Sequence, residues 1–122
     1  MPVTYRFDSN IVVIEMVDEY SMDDIRTTVL NSLADSVCPA NPFILMNLSK
    51  SRSIYSRTSE DVKTMARSLA SLGNHFSNRI ALVAPKDLPY GLMRMGSVYT
   101  EETGFEPKVF RTLAEARKWL LS

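Results

Sequence analysis

The stretch FILMNL, from Phe43 to Leu48, is apolar on both faces of a strand and decides the fold class. Two similar stretches flank it along the chain: IVVIEMV, from Ile11 to Val17, and RIALVAP, at residues 79–85. Strands that are apolar on both faces belong inside sheets that helices cover on both sides. The three stretches therefore predict the centre of a largely parallel sheet.

Two further strands are expected at the margins of this sheet. VTYRF, at residues 3–7, alternates between apolar and polar side chains, which is typical of a half-exposed strand. The turn DSN, at residues 8–10, joins it to IVVIEMV as a hairpin. KVFR, at residues 108–111, is short and flanked by charge, as edge strands are.

Four helices are predicted between and after these strands. The first has Ser21 as its N-cap and an apolar stripe, and the last begins with a capping box of Thr112 and Glu115. The second starts near Thr58 or Ser59 and stops at Gly73 and Asn74, and the third runs from Pro89 to Gly104. The stripe of the first helix consists of Met22, Ile25, Val29 and Leu33. The order β-β-α-β-α-β-α-β-α predicts one α/β domain over residues 1–122, a mostly parallel five-stranded sheet with an antiparallel N-terminal edge hairpin.

The composition of the chain excludes several classes of function. The 122 residues carry 14 basic and 14 acidic side chains, so the chain has no global field for nucleic acid or an anionic membrane. The single cysteine, the absence of a signal-peptide pattern and apolar runs too short to span a bilayer predict a cytoplasmic protein. Four scattered glycines and one histidine, His75, give no phosphate-loop or metal-site pattern, so no cofactor is expected.

The carboxyl ends of the central strands are the expected site, because ligands of open α/β sheets collect there. Three connections fall at this edge, DEYS, SKSRSIYSRTS and PKDLPYG, and each contains a tyrosine. Hydroxyls, cations and free N–H groups at helix starts together favour an anion, although loop serines equally serve as caps and keep a surface soluble. The candidate binding residues are Ser49, Arg52, Tyr55, Ser56, Arg57, Tyr20, Tyr90 and Arg94.

Three segments resemble the SpoIIAA-like proteins of the STAS (anti-sigma factor antagonist-like) superfamily: FILMNLSKSRSIYS, RIALVAPKDLPYGLMRM and KVFRTLAEARKWL. The resemblance runs nearly end to end and implies a STAS-like fold in a bacterial cytoplasmic protein with no established enzyme activity. Family antagonists are phosphorylated by a partner kinase on a serine in the loop after the third strand. Aligning Asn47 with the acid that ends this strand in the family places Ser56 at the phosphorylated position. Two departures are visible: Asn47 stands where the family has its strand-ending acid, and Tyr55 stands where an acid precedes the serine.

These observations leave two functions open. The first is a non-enzymatic regulatory or interaction module that recognises an acidic or phosphate-switched protein partner through the loop after strand three. The alternative is a binder of a small amphipathic anion such as a lipid or fatty acid, because STAS-like folds resemble lipid-carrying domains. In that case the cleft would be lined by Tyr20, Tyr55, Tyr90 and Met93. The anionic head group of the ligand would bind to Arg57 or Arg94.

We expect no enzyme, because nothing assembles a nucleophile, a base and an oxyanion donor. Family habit favours a homodimer, which would use helix faces because the strand edges are charged. Trp119 and Phe110 are expected to be buried and to hold the last helix on the sheet.

Overall fold

The computed structural model describes residues 2–52, 79–86 and 106–122, together with the single residues Glu60, Asp61, Thr64, Arg67 and Gly91. These five residues are all helical, and they fall inside the second and third helices that the sequence predicts. The rest of those two helices lies outside the described residues.

Five strands and two helices are described in full, and their order agrees with the prediction. The elements are β1 (Val3–Asp8), β2 (Ile11–Asp18), α1 (Met22–Ala34), β3 (Phe43–Ser51), β4 (Arg79–Val83), β5 (Glu106–Phe110) and α2 (Leu113–Leu120). The sheet order is β1-β2-β3-β4-β5, in which β1 pairs antiparallel with β2 and all other pairs are parallel. The predicted mixed sheet with an antiparallel edge hairpin is therefore confirmed.

The two helices lie on opposite faces of the sheet. Ile25 and Val29 of α1 belong to one buried cluster with alternate residues of the strands, among them Ile14 and Met46. Ala116 and Leu120 of α2 belong to a second cluster on the other face, which includes Val13 and Leu45. Burying an aliphatic side chain of this size contributes about 1.5–3 kcal/mol, so the double burial of the central strands is the main source of stability.

The caps of the two helices differ from the prediction in detail. Ser21 and Asp24 form a complete capping box, in which the Ser21 hydroxyl accepts from the Asp24 N–H and the Asp24 carboxylate accepts from the Ser21 N–H. Thr112 also accepts from the N–H of Glu115, but the Glu115 carboxylate accepts from the Thr112 hydroxyl. The capping box predicted for Thr112 and Glu115 is therefore incomplete, whereas a complete box is present at the first helix, where the sequence predicted only a capping serine.

The last helix is held by smaller side chains than expected. Ala116 and Leu120 are fully buried, whereas Trp119 and Phe110 are only half-buried, which corrects the prediction that both aromatic residues are buried. Their rings pack against each other with centroids 5.6 Å apart. The Trp119 ring faces two cations of the sheet, Arg79 at 5.4 Å and Lys108 at 5.8 Å. Because β5 is an edge strand, the ring lies at the rim of the sheet and stays partly exposed.

Candidate functional site

The carboxyl ends of four strands meet at one edge of the sheet. This follows from the parallel pairing of β2, β3, β4 and β5. The segments found there are 18–21 after β2, 49–52 at the end of β3, 84–86 after β4 and 111–112 after β5. The sequence assigned the first three of these connections to the site, and residues 53–59 and 87–90 of them lie outside the described residues.

Asn47 is the polar centre of this edge. It lies on β3 beside Glu15 of β2 and is only 5% exposed. Its Nδ2 donates to Glu15 Oε2 at 2.8 Å, and its Oδ1 accepts from the Ser49 N–H at 3.1 Å and the Ser49 hydroxyl at 2.7 Å. A buried amide needs such partners, because leaving it unsatisfied costs about 1–3 kcal/mol. Asn47 therefore fixes Ser49 relative to β2.

Glu15 connects this centre to the edge strand. Its second carboxylate oxygen lies 3.6 Å from Arg6 Nη2 on β1. A polar chain thus runs from Arg6 through Glu15 and Asn47 to Ser49, crossing three strands on the face that carries α2.

The strand β3 continues three residues beyond its predicted end at Leu48. Glu15 pairs with Asn47, but Val17 pairs with Lys50, so β3 contains one extra residue in this interval. Such a bulge bends a strand and redirects its side chains. Leu48 stays buried, Ser49 and Lys50 are exposed, and Ser51 is buried again. The sequence did not predict this extension, because serine favours turns and lysine is depleted in strands.

A pair of buried hydroxyls secures the end of β3. The Tyr20 hydroxyl lies 2.6 Å from Ser51 Oγ. Tyr20 is 9% exposed and packs in the cluster beneath α1. The connection from β2 to α1 is thereby joined to the last residue of β3.

Asp18 and Arg52 make a second link at the surface. Asp18 has a φ of 57°, in the left-handed region that aspartate tolerates better than most residues. Its carbonyl accepts from the Arg52 N–H at 2.7 Å, and its carboxylate lies 3.3 Å from Arg52 Nε. The Arg52 side chain is nevertheless 70% exposed, so this ion pair contributes little to stability and leaves the guanidinium accessible.

Three of the eight predicted site residues lie together in this arrangement: Ser49, Arg52 and Tyr20. Ser49 lies within the strand and not in the loop after it. Tyr20 lies in the core and reaches this edge of the sheet only through the contact of its hydroxyl with Ser51. The other five lie outside the described residues: Tyr55, Ser56, Arg57, Tyr90 and Arg94.

Glu15, Asp18 and Ser51 were not among the candidate binding residues, although Asp18 and Ser51 lie in two of the three predicted connections. Glu15 had a detectable signal, because it is the single charged residue in the otherwise apolar stretch IVVIEMV. A charge inside a doubly buried strand needs a partner, and Asn47 at the same level of the next strand provides one. Ser51 had no such signal, since its burial depends on the bulge.

Other reactive groups are distant or absent among the described residues. Cys38 belongs to the connection that precedes β3, at the opposite edge of the sheet, and burial raises the pKa of its thiol. Within residues 2–52, 79–86 and 106–122, no group of histidine, cysteine and acidic side chains is arranged to hold a metal ion. The helices described there are too short or too polar to cross a membrane.

Comparison with known proteins supports the fold. No protein-family model and no curated protein matches the sequence. Among solved structures, the chain is similar to an uncharacterized protein of the DUF3478 family from Shewanella loihica PV-4, which has a SpoIIAA-like fold. The match covers 97% of this chain and 91% of that one, with a TM-score of 0.60 and 15% sequence identity. The chain therefore has a SpoIIAA-like fold.

Proposed function

We propose that this protein is a non-enzymatic interaction module of the STAS-like type, which recognises its partner through the end of β3 and the loop that follows. The observation that carries this proposal is the secured extension of β3 from Asn47 to Ser51. Asn47 and Tyr20 hold its two ends, while Ser49 and Lys50 between them are exposed. A pre-ordered segment binds a partner at a lower entropic cost than a loop that must first be ordered.

The chemistry of the segment indicates an acidic partner surface. Lys50, Arg52 and Lys86 are exposed at the same edge of the sheet. Arginine pairs with carboxylates and phosphates through two parallel hydrogen bonds, so either group on a partner would suit Arg52. Phosphorylation of Ser56, which the family resemblance implies, stays a prediction, because Ser56 lies outside the described residues.

One observation favours the interaction module over the amphipathic-ligand cleft at this edge. Tyr20, one of the proposed cleft walls, is 9% exposed, and its hydroxyl is occupied by Ser51. It therefore offers little surface to a ligand there.

An NMR titration with a peptide of six glutamates, and separately with inorganic phosphate, tests the proposal. We expect the amides of residues 49–52 to shift in wild-type protein, and the shifts to weaken as salt screens the charges. Lys50→Glu should abolish them, whereas the matched control Lys118→Glu, at an exposed position of α2, should leave them unchanged. Amides that stay unmoved by both probes would overturn the proposed recognition surface.

Assembly and location are separate predictions. A homodimer through helix faces is expected from the resemblance, and a cytoplasmic location from the composition. Sedimentation equilibrium checks the first, and a monomer at high protein concentration would contradict it.

A further inference from the structure

A cavity of about 250 Å³ lies between the N-terminal half of α2 and the strands β1, β2 and β3. Beneath it lie Val13 and Leu45, which occupy paired positions on β2 and β3 and are each only 2% exposed. Leu113 and Ala114, at the start of α2, form its helical wall. The apolar part of the cavity therefore combines central strand positions with the first turn of the helix.

The sheet register explains why charged side chains line the same cavity. Arg6 is opposite Val13, and Asp8 follows two residues later on the same face of β1. Arg117 reaches the cavity from one helical turn beyond Leu113. The lining thus contains two guanidinium groups and one carboxylate around an apolar base.

The hydrogen bonds of these groups leave donors for a ligand. Arg117 directs Nε and Nη2 at Asp8, at 2.8 and 3.4 Å, and Nη2 also approaches Ser9 Oγ at 3.4 Å. Arg6 is 53% exposed, and its 3.6 Å separation from Glu15 is too long for a good hydrogen bond. Arg6 therefore lies near two carboxylates, those of Glu15 and Asp8, without a short hydrogen bond to either, and about half of its side chain is exposed.

We propose that this cavity binds a compact organic carboxylate. The carboxylate accepts from Arg6, at the rim, and the hydrocarbon part lies against Leu113 and Ala114, the exposed apolar side chains of the lining. A planar guanidinium matches a carboxylate in shape as well as charge. The volume is below the range of about 300–1,000 Å³ that is usual for drug-sized ligands, so a short acid fits and a long acyl chain does not.

This site is independent of the proposed recognition surface. It lies on the α2 side of β1 and β2, whereas Lys50 and Arg52 are at the end of β3. The two sites are connected through Glu15. One of its carboxylate oxygens faces Arg6, and the other accepts a hydrogen bond from Asn47. Failure of one proposal would leave the other standing.

Titration with hexanoate, hexanol and hexylammonium, followed by NMR of the backbone amides, tests the inference. We expect hexanoate to shift the amides of Val13, Leu45 and Ala114, and hexanol and hexylammonium to bind far more weakly. Arg6→Gln should weaken hexanoate binding at least about tenfold, because charge-assisted hydrogen bonds are lost. Arg26→Gln, at an exposed position of α1 on the other face of the sheet, should change nothing.

A second pair of variants protects the test against a folding effect of Arg6→Gln. Leu113 is 39% exposed at the cavity, and Leu121 is 42% exposed just beyond the other end of α2. Leu113→Glu should abolish hexanoate binding, and the matched Leu121→Glu should preserve it. Equal binding of hexanol and hexanoate, equal effects within either pair of variants, or no shift of the lining amides would overturn the proposal.

Discussion

Asn47 and Glu15 form a hydrogen bond of 2.8 Å between neighbouring parallel strands, with the amide Nδ2 as donor and the carboxylate as acceptor. This pairing gives a physical reason why Asn47 stands where the SpoIIAA-like proteins that the sequence resembles have an acid. An acid there would face the Glu15 carboxylate inside the sheet, and two carboxylates at this distance repel each other. The amide removes the repulsion and supplies a donor.

The first prediction concerns this pair. Asn47→Asp should reduce the free energy of unfolding at pH 7 by roughly 1–3 kcal/mol, since one hydrogen bond is lost and two like charges meet. The loss should shrink in acid, because the folded state of the variant takes up a proton more readily than its unfolded state. Urea unfolding at pH 7 and near pH 4 checks both parts.

The double variant Glu15→Gln with Asn47→Asp is the control. It restores a donor and an acceptor, so it should recover much of the stability that Asn47→Asp loses. A single variant as stable as wild type would mean that the carboxylates reorient towards water.

The second prediction concerns Tyr20 and Ser51, whose oxygens are 2.6 Å apart. Tyr20→Phe and Ser51→Ala should each cost about 1 kcal/mol, the usual net value of a hydrogen bond. A double-mutant cycle in urea should give a coupling energy of similar size. Hydrogen exchange at Ser51 and Arg52 should become faster in both variants, because the end of β3 loses its anchor. A coupling near zero would assign the two hydroxyls to other partners.

The third prediction follows from Arg117 and Asp8. The Arg117 hydrogen bond holds the pKa of Asp8 below its ordinary value. The stability that this pair provides is therefore present at neutral pH and lost as the pH falls through the lowered pKa. A carbon-detected NMR titration should give a lowered pKa for Asp8 in wild-type protein and an ordinary one in Arg117→Gln. The same pKa in both proteins would contradict the assignment.

The arrangement of strands was predictable because the side-chain patterns are strong. The alternation of VTYRF placed Val3, Tyr5 and Phe7 on one face, and all three contact the cluster beneath α1. The doubly apolar stretches likewise became the inner strands β2, β3 and β4. These patterns depend only on which face of a strand meets the core, and that is local information.

The detail of the site was not predictable for the opposite reason. Ser51 is buried because a bulge shifts the register and Tyr20 arrives from another connection. Trp119 is half-exposed because its strand partner is at the sheet edge, although its size favours burial. Both outcomes depend on contacts between distant parts of the chain, which residue types alone do not encode.

The last prediction ranks the side chains that hold α2 on the sheet. Leu120 is fully buried in the α2-side cluster, so Leu120→Ala should reduce the free energy of unfolding by about 2–5 kcal/mol. Trp119 is larger but half-buried, so its removal takes less apolar surface out of the core than its size suggests. Trp119→Ala should therefore cost roughly 2 kcal/mol, below the 3–5 kcal/mol typical of a buried aromatic residue. Leu121→Ala, at an exposed position, should cost less than about 0.5 kcal/mol and serves as the control.

Urea unfolding of the three variants decides the order. A larger loss for Trp119→Ala than for Leu120→Ala would mean that the indole, and not the small buried face of the helix, docks α2.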